Sequence, residues 1–221
     1  DLVRVAINIL DVEKIEKIIK VLKSLKYKVA INLMQSNNVD KKFLINLINI
    51  ISDWKSCDIL YFADSLGAMD YLEVRRLSLL INKHWKKKFG FHSHDNRSLS
   101  LSNCLEAVNN SVHYIDSTIL GMGRGAGNLA TEKILFELNK LNIHNGKVNE
   151  LSDCIEDFKN LQKIYSWGPN MFYHSAALNN IHPTYIQTLL LDKRYNYNQI
   201  LDSIDFLSKN KSSSFDYSKM M

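Results

Sequence analysis

The stretch KFGFHSHDN, residues 88–96, decides the fold class of this chain. Its apolar first half predicts a β-strand, and the strand ends in His92 and His94. Residues two apart in a strand point to the same face, so we expect the two imidazoles to project side by side from the strand end. Imidazole is the commonest metal-ligating side chain. Because an isolated pair of this spacing is more often structural, the surrounding pattern has to decide its role.

Short β-like runs alternate with longer helical patterns around this strand. Strand starts recur at roughly 25–30 residues, the size of a βα unit. The β-like runs start at Val3, Lys28, Asp58, Phe89 and Tyr114, and the helical patterns cover Val12–Leu25, Asp40–Ser52, Asp70–Trp85, Ser98–Asn109 and Asn128–Leu141. Apolar strands in repeated βα units predict a parallel sheet covered by helices. Five units suffice for a doubly wound open sheet, whereas a (β/α)8 barrel needs eight, so the periodicity leaves both folds open.

The pattern changes after Leu141, where helical patterns follow one another without strands. We therefore expect two domains: residues 1–145 contain the sheet, and residues 146–221 form a small helical extension. The tail Ser212–Ser214 is expected to be loose.

Polar or glycine residues follow every predicted strand. They are Asn8, Gln35 with Ser36, Asp64 with Ser65, His92 with His94, and Gly121 with Gly123. Because the carboxyl ends of parallel strands meet at one edge of a sheet, this series predicts a site there. Helix capping explains one polar strand end more readily than five.

A glycine-rich loop, GMGRGAGN at residues 121–128, is the second informative feature. Four glycines in seven residues allow positive φ and close approach of the backbone to a ligand. The loop imitates a dinucleotide-binding fingerprint, but no strand ending in an acidic residue follows it, so a lid over the site fits as well. Asn128 is either the N-cap of the next helix or a ligand through its amide oxygen.

Three motifs together resemble the DRE-TIM metallolyase superfamily, the HMG-CoA lyase-like enzymes. They are residues 90–96, residues 116–118 and the loop from Gly121 to Glu132, in the family's order and spacing. Residues 63–69, ADSLGAM, resemble a run of the 4-hydroxy-2-oxovalerate aldolases in particular. The resemblance implies a (β/α)8 TIM barrel of which only the C-terminal five or so βα units are present, followed by the helical extension.

The resemblance also implies roles for single residues. His92, His94 and Asn128 match metal ligands, for Mn²⁺ above all, with Mg²⁺, Co²⁺ and Zn²⁺ as alternatives. Ser65, with Asp64 beside it, matches the substrate-binding position for the pyruvate carboxylate. Tyr173 matches a catalytic tyrosine from the extension.

The implied activity is metal-dependent aldolase or lyase chemistry that cleaves or forms a C–C bond next to a 2-oxo acid. The substrates would be a small 2-oxo acid and an aldehyde, and the partners another copy of the chain or an aldehyde dehydrogenase. The alternatives are an acyl-CoA condensing enzyme of the same superfamily and a non-catalytic barrel fragment that acts as a binding module. The family's Asp-Arg-Glu-type motif has no match here, so we expect a fragment, a truncated chain or a remnant that needs a partner. The loop carries Arg124 and no cysteine, which argues against HMG-CoA lyase activity.

Composition excludes other classes of protein. The net charge of +5 comes mostly from lysines on amphipathic helices, so we expect no nucleic-acid partner. There is no apolar run near 18 residues and no signal-peptide pattern at the start, so we expect no membrane partner. Three widely spaced cysteines indicate a reducing, cytoplasmic location.

Overall fold

The computed structural model describes residues 1–220. Five parallel strands form one sheet, in which each strand pairs with the next one along the chain. The strands are β1 (Leu2–Asn8), β2 (Lys28–Met34), β3 (Ile59–Asp64), β4 (Phe89–Ser93) and β5 (Tyr114–Ile115). A helix lies between successive strands, as parallel pairing requires. The predicted α/β fold with five βα units is therefore confirmed.

Nine α-helices lie within residues 1–220. They are α1 (Glu16–Ser24), α2 (Lys41–Asp53), α3 (Tyr71–His84), α4 (Ser100–Asn109), α5 (Thr131–Lys140), α6 (Ser152–Tyr165), α7 (Met171–Leu178), α8 (Pro183–Leu191) and α9 (Tyr197–Lys209). Aspartate caps fix the starts of α2 and α3: Asp40 accepts the Phe43 N–H at 2.8 Å, and Asp70 accepts the Glu73 N–H at 3.0 Å. The longest described helices have 14 residues, and none combines the length and apolarity needed to cross a membrane.

The first predicted helix, Val12–Leu25, and the fifth predicted strand differ from the structure. A 3-10 helix over Ile9–Ile15 precedes α1, because Asn8 accepts the Leu10 N–H at 3.0 Å and starts a tighter turn. The fifth strand is short because Thr118 donates its N–H to the Leu129 carbonyl, at 3.0 Å, rather than continuing along β4.

The tail is packed, so the expectation of a loose Ser212–Ser214 is wrong. Ser212 is buried, and its carbonyl accepts the His182 N–H at 2.8 Å. The Tyr185 hydroxyl donates to the Ser214 carbonyl at 3.2 Å. These bonds tie the tail to the start of α8.

The chain divides into two compact units. Unit 1 contains Asp1–Ser65, Met69–Ser93 and Ser102–Asp116; unit 2 contains Leu66–Ala68, His94–Leu101 and the chain from Ser117 onward. Unit 1 holds the sheet, and all six residues of β3 are buried in it. Unit 2 holds α5 to α9, with a core that includes Ala176, Tyr185 and Ile186. The predicted domain boundary at residue 145 falls inside unit 2 and stays a prediction.

Candidate functional site

In unit 1, the His92 imidazole at the end of β4 is hydrogen-bonded to the Asp116 carboxylate. His92 Nδ1 lies 2.8 Å from Asp116 Oδ2, and the same oxygen accepts from Arg4 Nη1 at 2.6 Å. Burial raises the pKa of Asp116, but the hydrogen bond with His92 and the charge of Arg4 outweigh it and hold this pKa below its usual value. An ionised carboxylate only accepts hydrogen bonds, so His92 Nδ1 carries the proton. In the neutral ring the lone pair is then on Nε2, the nitrogen through which a histidine of this tautomer can ligate a metal.

Arg4 and Tyr61 line the same face of the sheet as His92. The Arg4 guanidinium lies 4.6 Å from the centre of the Tyr61 ring, a cation–π distance. Gly90 makes room for this ring, because a Cβ at that position would collide with Tyr61. Next to Tyr61 in the strand register, the buried Asn32 Oδ1 has no hydrogen-bond partner among the described residues. The interior face of the sheet is therefore polar and charged around His92.

Sequence reasoning assigned no role to Arg4 or Asp116. Strand alternation and strand pairing could have indicated both. In the sheet, Arg4 pairs with Ala30 and His92 pairs with Ala63, and alternation puts all four residues on the face of Tyr61. Asp116 directly follows β5, the strand next to β4, so its carboxylate is within reach of His92 on that face.

Ser65 and Asp64, the predicted substrate-binding residues, both hold the backbone of unit 1. The Ser65 hydroxyl accepts the Gln35 N–H at 2.9 Å. Asp64 is 1% exposed, and its carboxylate accepts the Met69 N–H at 3.1 Å. Ser65 keeps partial exposure, so it is the better placed of the two to meet a small molecule.

In unit 2, the backbones of His94 and Asn128 form an isolated antiparallel bridge. The Asn128 amide nitrogen donates to the Met122 carbonyl at 3.0 Å, which leaves its Oδ1 outside that bond. The N-cap alternative for Asn128 is wrong, because α5 starts at Thr131 and the capping position is Ala130. The ligand alternative stays a prediction.

The glycine-rich loop approaches two candidate site residues closely. A Cβ on Gly123 would lie 2.6 Å from the Asn128 amide nitrogen, and a Cβ on Gly125 would lie 2.9 Å from the Tyr173 ring. Gly125 also has a φ of +63°, which side chains rarely adopt. Tyr173, at the start of α7, is 4% exposed, and burial raises its pKa to about 12. Its hydroxyl is therefore protonated at neutral pH.

Each unit by itself offers donors of the kinds that bind a divalent metal. In unit 1, Asp116 fixes the His92 tautomer, as carboxylates commonly do for metal-ligating histidines. In unit 2, His94 and Asn128 offer an imidazole and an amide oxygen. Within residues 1–220 there is no group of three His, Cys, Asp or Glu side chains that could hold a metal.

Comparisons with known proteins show which family the chain resembles. The profile of the HMGL-like family matches residues 8–172. The 4-hydroxy-2-oxovalerate aldolase of Thermomicrobium roseum is 34% identical over 125 residues, which are 56% of this chain and 35% of that protein. The chain thus matches about a third of the length of this relative.

Solved structures agree on the fold. The N-terminal domain of a candidate aldolase from Bacteroides vulgatus superposes with a TM-score of 0.81 at 32% identity, over 92% of this chain and 67% of that one. The Bacillus subtilis HMG-CoA lyase gives a TM-score of 0.66 at 16% identity, over 73% of this chain and 63% of that one. The fold is part of a TIM barrel and contains five of the eight βα units, as predicted. Matched by the profile over most of its length, the chain belongs to the HMGL-like family.

Proposed function

We propose that this chain belongs to a divalent-metal-dependent aldolase that cleaves or forms a C–C bond next to a 2-oxo acid. Membership of the HMGL-like family and relatives named 4-hydroxy-2-oxovalerate aldolase support lyase chemistry of this class. The single observation that carries the metal dependence is the hydrogen bond from His92 Nδ1 to Asp116, which prepares His92 Nε2 as a ligand.

His92, His94 and Asn128 would hold the metal, with Mn²⁺ as the first choice and Mg²⁺, Co²⁺ or Zn²⁺ as alternatives. Imidazole and oxygen donors with open positions suit these ions. When bound, the ion supplies a Lewis acid for the negative charge that develops on the 2-oxo acid. The set lacks a carboxylate, so we expect weak binding by this chain alone.

In the cleavage direction, the substrate would be a 4-hydroxy-2-oxo acid. The bond between C3 and C4 breaks, the hydroxyl proton leaves to a base, and the electron pair forms the enolate of pyruvate, which takes up a proton at C3. Ser65 would orient the pyruvyl carboxylate, and Asp64, buried beside it, would hold the backbone at the end of β3. The protonated hydroxyl of Tyr173 would donate a hydrogen bond to a substrate oxygen. The glycine-rich loop would close over the site and limit access of water.

The partners proposed are a small 2-oxo acid and an aldehyde, together with a second copy of the chain or an aldehyde dehydrogenase. All three cysteines are free thiols, which supports a reducing, cytoplasmic location.

Calorimetric titration with Mn²⁺ tests the metal site. We expect weak binding that is lost in His92→Ala and kept in His174→Ala, since His174 is an exposed histidine on α7. Tight stoichiometric binding that is unchanged in His92→Ala would overturn the assignment.

Pyruvate release from 4-hydroxy-2-oxovalerate, followed with lactate dehydrogenase and NADH, tests the reaction. We expect Mn²⁺-dependent release that His92→Ala removes. Release of free thiol from acetyl-CoA instead would favour the acyl-CoA condensing alternative. A chain with neither activity that binds no Mn²⁺ would favour a non-catalytic module.

A further inference from the structure

Arg124 differs from the other arginines of the described chain in its partners. Arg4, Arg75, Arg76 and Arg194 pair with carboxylates, and Arg97 donates to the Ala68 carbonyl. Within residues 1–220, the Arg124 side chain has no ion pair and no hydrogen bond. A guanidinium is charged at any physiological pH and offers five donors in a planar fork that matches an oxyanion.

The loop holds Arg124 between two candidate site residues of unit 2. Its carbonyl accepts the Gly127 N–H at 3.1 Å, and the Gly125 carbonyl accepts the Gly168 N–H at 3.2 Å. Gly123, on one side of Arg124, lies against the Asn128 amide, and Gly125, on the other, lies against the Tyr173 ring. The charge is therefore attached to a fixed backbone beside both residues.

The Tyr173 hydroxyl is a second donor without a partner. The Tyr173 residue is 4% exposed, and its hydroxyl makes no hydrogen bond to any residue that the structure describes. The hydroxyl oxygen is not among the fully buried polar atoms that lack a partner, so a ligand can reach it and accept its hydrogen bond.

The ionisable groups that shift the pKa values of Arg124 and Tyr173 include no carboxylate, although Asp95 and Glu132 line the cleft beside the loop. His182, the N-cap of α8, is neutral at physiological pH, because burial and then the Arg124 charge lower its pKa to about 4. The Arg124 charge also opposes the rise that burial causes in the pKa of Tyr173. Among the described groups, no carboxylate contributes to the pKa of Arg124, Tyr173 or His182.

We propose that Arg124 and the Tyr173 hydroxyl bind an oxyanion, a carboxylate or a phosphate, carried by the aldehyde half of the substrate. The anion site itself rests on Arg124 and Tyr173, whereas the assignment of the anion to the aldehyde half of the substrate rests on the proposed aldolase function. The natural aldehyde is then an anionic one rather than acetaldehyde.

Titration calorimetry in metal-free buffer tests the site apart from the aldolase chemistry. The probes are inorganic phosphate and malonate, each compared with chloride at equal ionic strength. We expect one of the two probes to bind, and Arg124→Gln to weaken it about tenfold or more, because a charge-assisted hydrogen bond is lost. Arg124→Lys should keep part of the affinity, and Tyr173→Phe should weaken it less than Arg124→Gln does.

Arg194→Gln is the matched control, because Arg194 is an exposed arginine of unit 2 paired with Asp192. It should leave the affinity unchanged, and thermal unfolding shows which variants are folded. Phosphate and malonate that bind no better than chloride, or affinity that survives Arg124→Gln, would overturn the proposal. Anion binding without pyruvate release from either 4-hydroxy-2-oxovalerate or 4-hydroxy-2-oxoglutarate, whose aldehyde half is an anion, would contradict the aldolase function and leave the anion site standing. Pyruvate release without anion binding would contradict the anion site and leave the aldolase function standing.

Discussion

Arg4 Nη1 lies 2.6 Å from Asp116 Oδ2, and this ion pair joins the two edges of the sheet. Arg4 is on β1, and Asp116 directly follows β5. Strands about 4.8 Å apart would place the edges of a flat five-stranded sheet about 19 Å from one another, beyond the reach of an arginine. The sheet is therefore strongly curled, as a segment of a barrel is, and the charged pair lies on its concave face together with His92.

Asp116→Asn should weaken metal binding without removing a ligand. An amide can turn its NH₂ group towards His92 and then favours the other tautomer, with the proton on Nε2. Loss of a residue that orients a ligating histidine typically costs about 10–100-fold in metal affinity. Mn²⁺ calorimetry measures the change. Asp58→Asn is the control. Asp58 pairs with Lys23 and precedes β3, whereas His92 lies near the other end of the parallel strand β4, so the substitution should leave Mn²⁺ affinity unchanged. Equal affinities in wild type and Asp116→Asn would contradict the role of Asp116.

Local sequence patterns predicted most of the fold, because apolar strand runs and the helical spacing of apolar residues can be recognised from neighbouring residues alone. The strands predicted to start at Lys28, Phe89 and Tyr114 start at those residues in the structure. The start of α5 was placed three residues early, because the sequence does not show that Thr118 pairs with the segment around Ala130.

Sequence reasoning could relate candidate site residues only where they are close in the chain. His92 and His94 are two residues apart, which suggested that one strand presents both, but β4 ends at Ser93 and His94 lies just beyond it. Arg4 and Asp116 are 112 residues apart, and only the curl of the sheet brings them together. The unpaired state of Arg124 is likewise invisible in sequence, because it depends on which carboxylates are near in space.

Asp58 should make stability depend on pH in the acid range. Burial raises the pKa of Asp58, but the hydrogen bond from Lys23 and that from the Val29 N–H outweigh it, so the folded-state pKa is lowered. The stabilisation is therefore fully present above the unfolded pKa of about 4 and is lost as the pH falls through the folded pKa. The pair is about one third exposed, so we expect about 1 kcal/mol at most.

Urea unfolding at pH 7 and at acid pH checks this prediction. Asp58→Asn should lower the free energy of unfolding at pH 7 and flatten its decrease towards acid pH. Asp53→Asn, at an exposed position at the end of α2, should leave the pH profile as it is. A profile that Asp58→Asn does not change would contradict the assignment.

Gly125→Ala should destabilise unit 2 by about 1–3 kcal/mol, because the left-handed backbone there is strained for any side chain. The added methyl would also press on the Tyr173 ring at 2.9 Å. A double-mutant cycle with Tyr173→Leu separates the two causes, because the shorter side chain removes the contact and leaves the backbone strain at Gly125 in place. Urea unfolding should show a larger loss for Gly125→Ala in the wild-type background than in the Tyr173→Leu background. Equal losses would mean that contact with Tyr173 contributes nothing.

The three cysteines should differ sharply in reactivity in the folded chain. Cys57 is fully buried and its pKa is raised to about 12 by burial, while its thiol donates to the Ile59 carbonyl. Because alkylation needs the thiolate, iodoacetamide at pH 8 should leave Cys57 unmodified. Cys104 is equally buried and Cys154 is partly exposed, so mass spectrometry should find Cys154 alkylated first and Cys104 protected. Urea should make all three react, and Cys154→Ser should remove the fast label. Rapid alkylation of Cys57 in the folded chain would contradict its packing against β3.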